Sequence, residues 1–268
     1  MYGVSELTVP EELLLLCASP RTGELDVPRY FTRALAAGAL TELQLRGAIT
    51  VEGNRITEVR PMTVGEPIVD EILAALVRDV QLGRPGARQT RLVGLPTDYE
   101  GVPGPAPAGG WARRVAHARV AMRTAAASVQ EPRDFQRWLQ VLPHLRDLDQ
   151  RYAQALERRG LLISNRRRTL GMPRTVWTTT APAHTEQIAA RIDREIRPHA
   201  HGRTPAPPSP RTVHLVALAH AAGLTGRRYP EREHHATHRY IEDLTAAHHL
   251  AQAAHSLIKH DSALPSGG

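Results

Sequence analysis

Histidine and arginine are the residues of this chain whose types and spacing best suit chemistry. There are 14 histidines, and His234, His235, His238, His248, His249, His255 and His260 crowd the C-terminal end. Imidazole both ligates metals and titrates near neutral pH, so such a cluster offers two chemistries. His234 and His238 stand one helical turn apart, as in a two-histidine metal helix. An HExxH site needs a glutamate between them, however, and no cysteine lies nearby to complete another common ligand set. The expectation is therefore a solvated, pH-sensitive surface with no metal and no cofactor. His214 and His220, inside the apolar run TVHLVALAHAAGL, read as core histidines.

Basic residues outnumber acidic ones 34 to 27, giving a net charge of +7, and Lys259 is the only lysine. That balance points to an anionic partner: nucleic acid, lipid headgroups or an acidic protein. The guanidinium fork suits phosphate because it donates two parallel hydrogen bonds. Arg166, Arg167 and Arg168 fall together in RRGLLISNRRRTLGMPR, a helix end followed by a hairpin pattern. A winged-helix reader of DNA has that order, with the wing on phosphates. A protein resting on an anionic membrane uses the same basic surface. The apolar character of the helices ahead of the hairpins favours the membrane, since a recognition helix must leave a polar face outward.

No GxSxG, Walker-type loop or GxGxxG occurs in a strand-turn-helix setting. Asp70 and Glu71 are adjacent, which on a helix turns them about 100° apart, so capping or a salt bridge suits them better than acid/base work. With no catalytic constellation, the chain is expected not to be an enzyme.

The elements that must position these groups are mostly helices. In LTVPEELLLLCA, Thr8 offers an N-cap, Pro10 suits a first turn, and Glu11 and Glu12 sit where the helix dipole favours negative charge. A secretory signal needs positive charge first and a spanning helix needs about 20 apolar residues, so neither is expected here. Leu13, Leu14, Leu15 and Leu16 cover too wide an arc for an exposed helix, and the segment should be buried before Pro20 stops it. The lone Cys17 reads as a packed thiol in a reducing cytoplasm.

Phe31, Leu35, Gly38 and Glu42 fall on one helical row, and Gly47 ends that helix. AITVEGNRITEV is a β-hairpin turning at Gly53-Asn54. Ile68, Ile72, Ala75 and Leu76 face inward from the next helix. About 84–132 reads as a Pro/Gly-rich insertion, in which WARRVAHARVAMRTAAASV has the pattern of a helix with a basic face. The spacing from Phe135 to Leu156 predicts one helix of seven turns, kinked at Pro143 and ended by Gly160. A second hairpin follows, with its turn placed near Ser164-Asn165, so the order helix, Arg-Gly, hairpin occurs twice. Beyond HTEQIAARIDREI and a Pro-rich linker, TVHLVALAHAAGL should lie at the centre of the core. A single last helix is expected through HRYIEDLTAAHHLAQAAHSLI, with 261–268 as a disordered tail.

Taken in order, LTVPEELLLL, AGALTELQLRGAITVEGNRI, TVGEPIVDEIL, LRDLDQRYAQALERRGLL, LGMPRTVW and LVALAHAAGL resemble the Golgi phosphoprotein 3 family, including its bacterial members. The resemblance implies a mainly α single domain over 1–260, with a hydrophobic core helix wrapped by amphipathic helices and one or two β-hairpins. It also implies a non-enzymatic, cytoplasmic, peripheral membrane protein. The family's eukaryotic members bind phosphatidylinositol 4-phosphate and adapt Golgi enzymes for sorting. Anionic headgroups, a protein cargo and a second copy meeting at the hairpin near 161–178 are the partners so implied, ahead of nucleic acid.

The family's lipid site uses a tryptophan and three basic residues. Through the matching segments these positions fall on Val27, Ala36, Arg146 and Asp149, so Arg146 alone is kept. Tyr30 and Arg33 lie one turn from the unmatched positions and stand as substitutes. Arg146, Tyr30, Arg33, Arg166 and Arg167 are thus the expected headgroup contacts.

Overall fold

The computed structural model describes residues 6–82, 91–93, 137–139, 147–169, 172–202 and 207–263. The fold is mainly α with two small antiparallel hairpins, as expected from the motif series. Arg146, Pro143, the basic WARRVAHARVAMRTAAASV segment and the last five residues lie outside the described residues.

Helix α1 (Val9–Leu15) starts as its sequence prescribes. The backbone N–H of Thr8 donates to Glu11 Oε2 at 2.8 Å, and its hydroxyl donates to the same oxygen at 3.1 Å. Leu13, Leu14 and Leu15 are fully buried, each stabilising the fold by about 1.5–3 kcal/mol. Cys17 is buried behind them, and burial pushes its thiol well above the ordinary range, in keeping with a packing role.

Helix α2 (Phe31–Leu45) crosses α1 with the row Phe31, Leu35, Gly38 and Glu42 buried. Gly38 is the point of closest approach: a Cβ there would stand 3.1 Å from Leu13 Cδ1 and 3.4 Å from the Pro10 nitrogen. Gly47 (φ 72°) then lets Ala48 N–H reach Leu43 C=O, and the chain enters β1 (Ile49–Glu52). Strand β2 (Arg55–Val59) returns antiparallel around Gly53-Asn54. Helix α3 (Pro67–Gln81) follows, capped by Glu66, whose carboxylate accepts from Ile68 and Val69 N–H. The pair Asp70 and Glu71 divides as local chemistry suggests: Asp70 holds the Val64 and Gly65 N–H groups, and Glu71 pairs with Arg151.

Four boundaries differ from the sequence-based expectation. Within the stretch read as an insertion, β3 (Arg91–Leu92) adds to β2 in parallel, making a three-stranded sheet. The long helix expected through Pro143 is interrupted: α4 (Leu148–Arg158) begins after Asp147, whose backbone is non-helical. In strands β4 (Leu162–Thr169) and β5 (Met172–Thr179), Ser164 pairs with Trp177 and Asn165 with Val176, so Ser164-Asn165 lies within the ladder and not at its turn. Ser164 is held in the strand because its N–H and hydroxyl both donate to Glu157, at 3.0 and 2.7 Å. The last predicted helix is two, α8 (His235–Ala247) and α9 (His249–Ala263), parted at His248, whose backbone is extended (φ −101°, ψ 104°).

Between the second hairpin and these helices lie α5 (Pro182–Ala200), α6 (Pro210–Ala221) and the single turn α7 (Thr225–Arg228). Helix α6 is the centre of the core, as its all-round apolar pattern requires. Thr212 and the run Leu215 to Ala219 are buried, and α1, α2, α5, α8 and α9 pack around it.

Candidate anionic-ligand surface

Two groups of arginines among the described residues contrast in what they face. The first surrounds three carboxylates buried at the α1–α2 crossing: Glu11, Glu12 and Glu42 are 1%, 3% and 0% exposed. Arg159 donates to Glu11 at 2.6 Å, and Arg191 donates to Glu12 at 2.8 Å. Arg211 reaches Glu42 at 3.2 Å and also bonds the Leu7 carbonyl. Glu42 further accepts from Val9 N–H at 2.9 Å and from Arg46 at 2.9 Å. Carboxylates taken out of water need such partners, and here three helices supply them. Sequence reading took Glu11 and Glu12 as dipole-stabilising charges and assigned no role to Arg159, Arg191 or Arg211. Glu42 on an otherwise apolar helical row was the signal that a buried counter-charge was required.

The second group lies on the β4–β5 hairpin, which leaves the core beyond the buried Leu161 and Leu162. A strand alternates its faces, so Arg166 and Arg167 project to opposite sides, although the sequence places them side by side. Arg167 is directly across from Arg174, a like-charged pair that no strand-pairing preference explains. Arg174 was not singled out from the sequence; the register of the hairpin brings it in. Arg167 is held at 2.7 Å by Glu24. Arg166 and Arg174 are exposed and, among the described residues, have no acidic partner.

Glu24 belongs to a segment that ties the hairpin to α2. Leu25 N–H donates to Trp177 C=O at 2.8 Å, and Thr179 N–H donates to Gly23 C=O at 2.9 Å, extending the hairpin edge. The same segment ends at Tyr30, whose left-handed backbone (φ 62°) opens α2 and whose ring lies 5.1 Å under the Arg29 guanidinium. Arg33, one turn on, faces inward. It pairs with Asp261 of α9 at 3.2 Å and bonds the Leu139 carbonyl. Of the expected contacts, then, Tyr30 and Arg166 are available, Arg167 and Arg33 are held by carboxylates, and Arg146 is outside the described residues. Ala36, onto which a family arginine would fall, is fully buried, so no basic group at that position would reach a headgroup in this chain.

The helix ahead of the second hairpin turns two of its arginines toward carboxylates of the protein. Helix α4 directs Arg151 to Glu71 and Arg159 to Glu11, and its apolar face packs on α1 and α2. Among the described residues no group of three or more His, Cys, Asp or Glu side chains is placed to hold a metal ion, and no helix is long and apolar enough to cross a membrane.

Fold and surface together define a class: a mainly α protein with a central apolar helix, helices packed around it, and an arginine-bearing hairpin standing off the core. The family to which the chain belongs is Golgi phosphoprotein 3 (GPP34), whose sequence model matches residues 9–95 and 96–260. No curated protein matches the chain.

Proposed function

We propose that this protein is a non-enzymatic peripheral membrane protein that binds anionic headgroups of the phosphatidylinositol 4-phosphate type and serves as a cytoplasmic adaptor. Membership of the Golgi phosphoprotein 3 family supports the reading at the family level. The observation that carries it to particular residues is the pair Arg166 and Arg174, exposed on the projecting hairpin without an acidic partner among the described residues. Tyr30 lies at the end of the segment joined to the hairpin edge and offers an amphipathic ring suited to the headgroup layer. Each such arginine near an anionic leaflet contributes on the order of 1 kcal/mol, screened over a distance of about 8 Å at physiological salt. Cargo binding and self-association through β4–β5 belong to the same proposal.

Flotation with vesicles of neutral lipid, neutral lipid plus phosphatidylserine, and neutral lipid plus phosphatidylinositol 4-phosphate tests it. Binding that prefers the phosphoinositide at matched surface charge is expected. Binding to both anionic vesicles alike reduces the proposal to nonspecific attraction, and no binding to either at low salt overturns it.

A further inference from the structure

The histidines left unused by the proposed surface line the junction between α6 and the C-terminal helices. His214 of α6 has its ring 4.4 Å from that of His248, the residue whose extended backbone parts α8 from α9. A cavity of about 100 Å³ lies beside this pair, bordered also by Thr41 and Gln44 of α2. Thr41 Oγ1 is buried there without a hydrogen-bond partner. Six residues along α6, His220 meets one ring from each C-terminal helix: His238 of α8 edge-on at 5.5 Å and His255 of α9 stacked at 6.1 Å. Its Nδ1 is 2.9 Å from the Thr225 hydroxyl of α7. One helix thus presents two imidazoles, and both C-terminal helices close on it with imidazoles of their own.

Few counter-charges face this seam. Glu242 of α8 lies 3.4 Å from His238, while α9 contributes the cation Lys259 and a further imidazole, His249, and α2 contributes only the uncharged Thr41 and Gln44. Several ionised groups of α1 and α5 are engaged with partners of their own. Glu12 takes Arg191 and Arg211, Asp193 takes Arg228 and Tyr229, and Glu195 takes Ser209. Farther along α9, Asp261 holds Arg33.

We propose that this histidine seam is an acid-sensitive latch: its rings hold α8 and α9 on the core while neutral, and protonation loosens the pair and opens the Arg33–Asp261 bridge. A proton added to His220 or His214 sits half-buried among other imidazoles, with one carboxylate near by. Burial, and then His248, lowers the His214 pKa from 6.5 to about 4. Burial also lowers His220, together with His238 and His255; burial and His249 lower His248; burial and Lys259 lower His255. The sign follows from linkage. The undocked chain takes up protons near pH 6.5 and the docked seam resists them, so docking is strongest above pH 6.5 and weakens as pH falls from there toward 4. The opened Arg33 then joins Tyr30 on the surface proposed for headgroups, a consequence that rests on the lipid-binding reading.

Hydrogen exchange of the full chain at pH 7.5 and 5.5, corrected for the intrinsic rate, tests the latch without lipid. Amides of α9 should open at least tenfold more often at pH 5.5, while those of β1 and β2 change little. In H214Q/H220Q the difference should shrink to less than threefold. Equal opening of α9 at both pH values in the wild type, or an undiminished response in the variant, overturns the proposal. Proton NMR of the wild-type imidazoles is independent of whether the variant folds: His214 or His220 titrating at 6.5 or above in the native state overturns it too. Flotation on anionic vesicles separates the two readings. If α9 opens at pH 5.5 but wild type binds no more than R33A does, the latch stands and Arg33 is removed from the headgroup surface.

Discussion

The α1–α2 crossing and the β4–β5 hairpin use the same side chain under opposite conditions. At the crossing, Arg159, Arg191 and Arg211 close around carboxylates that are at most 3% exposed. At the hairpin, Arg166 and Arg174 meet solvent, and the Arg167–Arg174 cross-strand pair places like charges opposite each other. The first arrangement has local counter-charges for most of its positive charge and adds little to an outward field. The second contributes charge that only a partner or counter-ions can balance. The net charge of +7 is therefore a poor guide to where the protein binds anions. What matters is which arginines have a carboxylate within reach, and that is a property of the fold.

Removing one member of the crossing should have the largest effect. E42A removes the fully buried acceptor of the Val9 N–H and of Arg46, and leaves Arg211 with only the Leu7 carbonyl and Glu12. The loss expected is about 3–5 kcal/mol, seen as a lower midpoint in urea unfolding with little change in slope. A loss under 1 kcal/mol would mean that the crossing is not an obligatory ionic centre, and the contrast with the hairpin would fail. Next in size is G38V. Its branched side chain has to displace Leu13 and the backbone at Pro10, at a cost of about 1–3 kcal/mol. Circular dichroism should show a lowered Tm with the helical signal kept at low temperature. If G38V is neutral, α1 and α2 are not as tightly apposed as the position of Leu13 implies.

The helical core was legible because burial follows period: the leucine run, the Phe31 row and the all-apolar α6 each required surroundings on several sides, and each has them. Glycine told the rest of that story. Arg46-Gly47 and Arg159-Gly160 end their helices with the same left-handed residue and the same return bond, which explains why the helix-to-hairpin order occurs twice. Boundaries set by side chains distant in sequence were not legible. Ser164-Asn165 has turn chemistry, but Glu157 secures Ser164 within a strand. Nothing local marks His248 as a break, because what accompanies the break is the His214 ring across the junction. The candidate surface fared less well than the fold. Arg33 is one turn from a position that the family match leaves unfilled, yet its counter-charge, Asp261, lies 228 residues away in a segment expected to be a disordered tail. Arg174 became part of the surface through strand register alone.

Substitutions on the hairpin should have the smallest effect on stability and the clearest effect on binding. R166A/R174A removes two exposed side chains that make no ion pair among the described residues, so the unfolding free energy should change by less than about 0.5 kcal/mol. If both arginines meet headgroup phosphates, vesicle affinity should fall by about 2 kcal/mol, roughly thirtyfold, and the loss should narrow as salt is raised. R167A is the internal control. It releases Glu24 as an uncompensated anion beside the hairpin, so it removes one positive charge and exposes one negative. It should therefore weaken binding to anionic vesicles although Arg167 itself touches no lipid, and E24Q should strengthen binding by freeing Arg167. Opposite signs for E24Q and R167A would show that acidic partners set which arginines reach the membrane; equal effects would place the binding surface elsewhere on the molecule.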